Sequence, residues 1–342
     1  MNRSNYRKKT ARKRMRKRFL LFMVLPLFIL GGTAVVYGTH LFKQAESAVN
    51  DSYDNLNRES SELRENIPDP DFDNISILFM GVDASEKREE NGFTSDNSRT
   101  DALVLATLNN KEKSINLLSI PRDTLAYIPH VDYKDKINHA HAFGGPQAAM
   151  ESVESLLEVP VDYYVRMNFN AFIDVVNSLD GVKVNVPYEL KEQDSRDKKN
   201  AIHLMPGIQT LDGEEALAFA RTRHYDSDIE RGKRQVEVIE AILDKSTSIS
   251  SISKYSDVIQ AVGQNLKTNL TFDEMKSFIS YAANSELSVN NLSLYGEETY
   301  IEGIYYYRPD EYELWSLQEK LQVHLGLIES ETTTDLSLDN QN

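Results

Sequence analysis

The chain has no cysteine among its 342 residues, so no disulfide framework can staple it and its stability must come from a packed core. Residues 1–18 hold ten lysines or arginines and no acid. The next stretch, Phe19 to Phe42, has no Asp, Glu, Lys or Arg across 24 residues. At about 1.5 Å per residue it is long enough to cross a hydrocarbon layer about 30 Å thick. The apolar part of a cleaved signal peptide is shorter, about 7 to 15 residues, and ends at a small-residue site. Pro26 and the Gly31-Gly32 pair are compatible with a helix in lipid. Cations before the span place the N-terminus in the cytoplasm and the rest outside. No internal repeat is present.

Beyond the basic tip, 28 basic side chains face 53 acidic ones, a net charge of −25. A nucleic-acid reader needs a basic face on its folded part, and this body is acidic, so no nucleic-acid partner is expected. The expected organisation is a cytoplasmic tail over 1–18, a transmembrane helix over 19–42, a polar stalk over 43–73, one domain over 74–328 and a disordered acidic tail over 329–342.

Within the domain, "ISILFMGV" (75–82), "ALVLATL" (102–108) and "SINLLSI" (114–120) read as strands covered on both faces. Further strands are expected at Tyr163 to Met167, Val182 to Val186, Val289 to Leu294 and Tyr300 to Tyr307. Helices interleave them: Pro146 opens one. Phe172, Val175, Val176 and Leu179 share a face of another that stops at Gly181. Capping boxes are expected at Asp212 with Glu215, Thr271 with Glu274, and Asp310 with Glu313.

Arginines and aspartates gather where these elements end. The short "NNKEKS" link makes the second and third strands antiparallel. If the first two strands are antiparallel as well, Asp83, Arg99, Asp101 and Arg122 share one edge of the sheet; a parallel first pair would separate the aspartates. The 17-residue loop from Ala84 to Thr100 is long enough to be a lid or binding loop. Carboxylates that meet guanidiniums suit a magnesium-bound phosphate. Taken singly, Asp83 also reads as a turn cap, Arg99 with Asp101 as a surface ion pair, and Arg122 with Asp123 as a local turn pair. Arg221 and Arg223 point about 200° apart in continuous helix and reach one ligand only if the helix ends between them. Arg231 and Arg234 lie three apart near a helix start, either as an anion site or as a solvated face paired with Glu230 and Glu237.

The blocks "MGVD…SRTDAL", "SIPRDT…KINHAHAFGG", "VDYYVRMNFNAFIDVVNSLDGVKV" and "LDGEEALAFARTRH…R..RQ" together resemble the LytR-CpsA-Psr family of membrane-anchored cell-wall enzymes, in family order over roughly residues 74–245. The resemblance implies a single α/β domain of three α/β/α layers with a mostly antiparallel central sheet and an apolar tunnel, after an N-terminal transmembrane helix. It implies a transferase that moves an anionic glycopolymer, such as wall teichoic acid, from undecaprenyl pyrophosphate to peptidoglycan. Carried onto this sequence, Asp83 and Asp101 are the expected Mg²⁺ ligands, and Arg99, Arg122, Arg221 and Arg223 the pyrophosphate-binding arginines, with Asp101, Arg122 and Arg99 as catalytic residues. Asp101 is also a candidate base. Arg231, Arg234 and Gln235 match a downstream block with a contact role. Phe172, Val176, Leu217 and Phe219 are candidate tunnel lining. The interval from Asp83 to Arg99 is longer than in many members. The lipid bilayer, peptidoglycan and a polyprenyl-pyrophosphate-linked polymer are the partners implied. Rival readings are a lipid-pyrophosphate hydrolase, a noncatalytic wall-polymer binder and a transcriptional attenuator.

Overall fold

The computed structural model describes residues 43, 46–56, 58, 60–71, 73–82, 98–223, 227–247, 266–283 and 287–329. The chain divides into two compact units, Met1–Ser47 and Ala48–Asn342, and everything below concerns the second. The expected tail and span over 1–42, Asp83, and residues 330–342 of the acidic tail lie outside the described residues. Among the described residues no helix is long and apolar enough to cross a membrane.

In chain order the elements are β1 (Ile75–Val82), β2 (Thr100–Asn109), β3 (Ser114–Ser119), β4 (Leu125–Ile128), β5 (Tyr133–Lys136), α1 (His139–Leu157), β6 (Tyr163–Asn168) and α2 (Phe169–Ser178). Then come β7 (Val182–Val186), β8 (Leu190–Glu192), β9 (Ile202–Leu204), β10 (Gly207–Leu211), α3 (Gly213–Arg221) and α4 (Asp228–Thr247). The chain finishes with β11 (Leu266–Thr268), α5 (Phe272–Ala283), β12 (Ser288–Ser293), β13 (Gly296–Ile301), β14 (Ile304–Pro309) and α6 (Glu311–Leu325). A six-stranded sheet in the order β11-β6-β1-β2-β3-β12 forms the middle layer. β1–β2, β2–β3 and β6–β11 pair antiparallel, while β1–β6 and β3–β12 pair parallel. The sheet is mixed and mostly antiparallel, and β1–β2 resolves the open question of the shared edge.

Because side chains alternate across a strand, Leu78, Met80, Leu103, Leu105, Leu118 and Ile120 face one side. There they pack with Met150 and Val153 of α1 and Leu317 and Leu321 of α6. Val104, Ala106, Ile115 and Leu117 face the other side, toward Val236 and Ile239 of α4. Ile75, Ile77 and Tyr163 meet Met275 and Phe278 of α5. These are the three layers.

Local signals placed the helices. Asn168 caps α2 by accepting from the Ala171 N–H at 2.9 Å, and Gly181, at φ 84°, ends the turn after it. The reciprocal boxes form at Asp212 with Glu215 and at Thr271 with Glu274. Asp310 caps α6 through the Tyr312 and Glu313 N–H groups. Pro146 follows a break at Gly144 and Gly145 that splits α1.

Two expectations change. The strand expected over Tyr300 to Tyr307 is a hairpin, β13–β14, which turns at Glu302 and Gly303 with φ 52° and 82°. Ile301 and Ile304 flank the turn as an apolar cross-strand pair, so the hydrophobic pattern runs through it. The stretch read as a stalk packs onto the domain from Ala48 onward. Tyr53 bridges Thr268, Arg58 grips Glu154 at 2.8 and 3.1 Å, and Arg64 grips Asp162 at 2.9 and 2.7 Å. Each arginine finds a carboxylate that is nearly buried, a pairing its sparse apolar spacing does not announce.

His324 near the end of α6 clamps the β2–β3 hairpin, with Nδ1 2.8 Å from Thr107 Oγ1 and Nε2 2.9 Å from Ser114 Oγ. Burial holds its pKa below the ordinary histidine value, with Lys320 adding and Glu112 opposing. The charged form is therefore disfavoured in the fold. Stability is expected to be full above roughly pH 6.5 and to fall as pH drops below that unfolded-state value. Urea unfolding across that range should show the decline, and His324→Gln should reduce it.

Candidate functional site

Between the sheet and helices α2 to α5 lies a cavity of about 1130 Å³. Its walls are apolar: Phe79, Val104 and Leu117 from the sheet, Ile239 from α4, and Phe278 from α5. This exceeds the usual range of about 300 to 1,000 Å³ for pockets that take small molecules. Water gains little from apolar walls, so the space suits a long apolar chain.

One end is polar. Asp101, Arg122, Arg221, Arg223, Arg231 and Gln235 all line it, with Gln193 and Asp197 from the β8–β9 turn. Asp101 reaches it through a bulge. Gly81 pairs with Ala102 but Val82 pairs with Thr100, leaving Asp101 as the extra residue on β2. In an unbroken strand it would share a face with Leu103 and Leu105; the bulge turns it to the cavity side beside Ala102. Gly81 leaves room there, since a Cβ on it would sit 3.2 Å from the Ala102 Cβ.

Arg122 follows β3 and meets Asp101, with Nη1 2.5 Å from Oδ1. Its Nε is 3.5 Å from Asp123 Oδ2, too far for a good hydrogen bond. Asp123 is held instead by Lys136 Nζ at 2.9 Å. Burial alone would raise the Asp123 pKa, but the Lys136 hydrogen bond and the Arg122 and Lys136 charges outweigh it and hold the carboxyl low.

α3 ends at Arg221, and Thr222 leaves helical geometry at φ −59°, ψ 145°. That break lets Arg221 and Arg223 serve one space. Arg221 Nη2 donates to the Gln193 carbonyl and, at 2.6 Å, to the Asp194 carbonyl. Asp228 opens α4 and holds Arg231 Nη1 at 3.2 Å, with Arg223 Nε 3.6 Å away. Burial pushes the Arg231 pKa down to about 10, helped by the Arg223 and Arg122 charges and opposed by Asp228 and Asp101. Among the described residues, the buried Nε atoms of Arg122, Arg221 and Arg231 have no hydrogen-bond partner. Buried donors left open around one mouth point to an anion.

Some expected site residues fall elsewhere. Arg99 is exposed beside the start of β2, outside the cavity lining. Arg234 is 4% exposed and turned inward, donating to the carbonyls of Phe219 at 3.0 Å and Thr222 at 2.7 Å. It splints the end of α3: Arg234 lies on the same side of α4 as Arg231, and the packing of α4 against α3 brings its guanidinium to those carbonyls. Phe172 and Leu217 line the cavity, whereas Val176 and Phe219 are fully buried in the cluster with Val182 and Val184. Gln193 and Asp197 were not anticipated. They come from a hairpin whose polar turn carries no motif; Arg221 donates to its Gln193 and Asp194 carbonyls, and its Ser195 N–H and Oγ donate to Glu214 of α3, which ties the turn to the mouth. Among the described residues no cluster of three metal-ligating groups forms.

An apolar cavity of this size, with Arg122, Arg221, Arg223 and Arg231 and the carboxylates of Asp101 and Asp197 at its polar end, has the form of a site for a long amphiphile with an anionic head. The LytR_cpsA_psr family model matches residues 38–323, and the chain belongs to that family. It is 41% identical over 327 residues to the polyisoprenyl-teichoic acid–peptidoglycan teichoic acid transferase TagT of Bacillus subtilis (strain 168), covering 95% of this chain and 99% of TagT. It is 33% identical to TagV of the same organism over 92% of this chain and 80% of TagV. A structure of TagT bound to LIIa-WTA superposes with a TM-score of 0.67 at 41% identity, covering 78% of this chain and 97% of that one. A TagT structure with bound octaprenyl pyrophosphate lipid gives a TM-score of 0.64 at 37% identity, over 79% and 97% of the two chains.

Arg234→Ala should cost about 2 to 3 kcal/mol of stability, since it strips charged donors from two buried carbonyls. Urea unfolding measures this, and an unchanged midpoint would remove Arg234 from the frame of the fold.

Proposed function

We propose that this protein is a membrane-anchored phosphotransferase that moves an anionic glycopolymer, wall teichoic acid or a similar polymer, from polyprenyl pyrophosphate to peptidoglycan. The observation that carries the reading is the coupling of one apolar cavity to one arginine mouth with Asp101 upon it. The TagT structures that carry a polyprenyl pyrophosphate lipid and LIIa-WTA support the same substrate class. The tail of the carrier fills the cavity, and the pyrophosphate lies at Arg122, Arg221, Arg223 and Arg231.

In the reaction an acceptor hydroxyl attacks the phosphorus that bears the polymer. A new P–O bond forms as the bond to the bridging pyrophosphate oxygen breaks, and polyprenyl phosphate leaves with the electron pair. The guanidiniums neutralise charge that builds on that oxygen, in a site where partial burial strengthens the interaction. The acceptor proton passes to Asp101, whose Oδ1 lies 2.5 Å from Arg122 Nη1, or to solvent. β1 ends at Val82 opposite Thr100, so the chain leaves β1 at the edge where Asp101 stands. Hard carboxylate oxygens, from Asp101 at this edge and from Asp83, the second ligand that the family resemblance implies, would hold Mg²⁺, which would offset pyrophosphate charge. The uncharged span over 19–42 anchors the enzyme, with its domain outside the cell.

The test supplies the full chain in lipid nanodiscs with a polyprenyl-pyrophosphate-linked polymer, peptidoglycan and Mg²⁺. Polymer joined to peptidoglycan is the expected product; free polymer phosphate alone would instead establish a hydrolase. Arg122→Ala should lower kcat by about 100-fold or more with an unchanged circular-dichroism melt, and turnover at the wild-type rate would remove Arg122 from the mechanism. Asp101→Asn should raise the Mg²⁺ concentration needed for half-maximal rate, and an identical titration would remove it as a ligand.

A further inference from the structure

The elements beside Arg122 carry two pairs of aromatic rings that the core leaves uncovered. The backbone ties both to the site: the Tyr307 N–H of β14 donates to the Asp123 carbonyl at 2.9 Å, Thr124 bridges Tyr307, and the Asn138 N–H, just after β5, donates to the Arg122 carbonyl at 3.2 Å. In the β13–β14 hairpin Tyr300 lies opposite Tyr305, and their rings meet edge to face with centroids 5.7 Å apart. Tyr300 is 67% exposed. Tyr133 of β5 and Phe143 of α1 form a second edge-to-face pair at 6.2 Å, and both are exposed.

Lys136 links the rings to the mouth. Its Nζ is 2.9 Å from Asp123 Oδ1, and it stands 5.7 and 5.6 Å from the ring centroids of Tyr305 and Tyr306. The Tyr305 phenol is pushed up by burial and then by the Glu298, Asp228 and Asp123 carboxylates. Asp228 holds Arg231 and Asp123 flanks Arg122, so Tyr305 stands within the field of the mouth itself.

The chemistry around the rings narrows the occupant. Glu297, Glu298 and Glu302 on the hairpin, with Asp132 and Asp135 beside it, outnumber Lys134, Lys136 and Arg308, so a polyanion is repelled here and drawn to the arginines instead. A lipid tail already has the cavity. Flat ring faces set among hydroxyls and carboxylates, such as Tyr306 Oη 3.5 Å from Asp135 Oδ1 and Tyr127 Oη 2.5 Å from Asp132 Oδ1, match an uncharged saccharide. Its C–H faces stack on rings while its hydroxyls donate to carboxylates.

We infer that the face formed by Tyr300, Tyr305, Tyr133 and Phe143 is the acceptor subsite, which seats an uncharged stretch of glycan strand so that one sugar hydroxyl reaches the mouth beside Arg122. This rests on the transferase reading above and adds to it where the acceptor lies and which side chains choose it.

The experiment uses the full chain in nanodiscs with Tyr300→Ala and Tyr133→Ala, both at exposed rings. Calorimetric titration with an uncharged N-acetylhexosamine tetrasaccharide, without donor, should show binding that each substitution weakens roughly fivefold, in keeping with the loss of one ring contact. In the coupled assay the same variants should raise the KM for peptidoglycan by a similar factor and leave kcat and the donor KM within about twofold. Unchanged saccharide affinity in both variants overturns the subsite. Loss of binding to phosphatidylglycerol vesicles with saccharide affinity intact also overturns it, and makes the face a membrane contact. If the wild type transfers nothing, the saccharide titration still decides the subsite. If transfer proceeds with an unaltered acceptor KM, the subsite falls and the transferase stands.

Discussion

The antiparallel pairing of β1 with β2, and the bulge within it, is the constraint on which the site depends. It brings the end of β1, the start of β2 and the end of β3 to one edge. The extra residue at Asp101 then reverses which face its carboxylate serves. Without that reversal the Asp101 carboxylate would point into the layer of Leu103 and Leu105, and Arg122 would lose its 2.5 Å partner.

The cations themselves are held by unlike means. Arg122 and Arg231 are oriented by carboxylates, Arg221 by two carbonyls of the β8–β9 turn, and Arg223 by the Asp228 that also serves Arg231. Burial first, and then the neighbouring Arg223 and Arg122 charges, make the Arg231 cation unfavourable and lower its pKa. An anion at this mouth would offset the part of that cost that comes from like charges. The acidic remainder of the domain sharpens the contrast, because a polyanion meets repulsion over most of the surface and attraction at one place.

Much of this was legible early. Five of the six strands of the central sheet, the caps at Asp212 and Thr271, and the break that lets Arg221 and Arg223 converge follow from local chemistry, where residue type and spacing act within one turn or strand. Arg234 was not legible as a splint: its neighbour Arg231 has the same type and the same helix, and only the packing of α4 against α3 sends one to the cavity and the other to carbonyls. Likewise Phe172 and Val176 share the apolar face of α2, yet one borders the cavity and the other lies in the core.

The sequence by itself determined the family, the acidic body, the uncharged 24-residue stretch and the residue types that meet a phosphate, since these are carried by composition and by motifs along the chain. Tertiary structure decided which arginines face the mouth, that residues from Ala48 pack onto the domain, and that a void remains between sheet and helices. Those outcomes depend on contacts between residues tens to hundreds of positions apart, and a periodic pattern specifies which face of an element is buried without specifying what it is buried against.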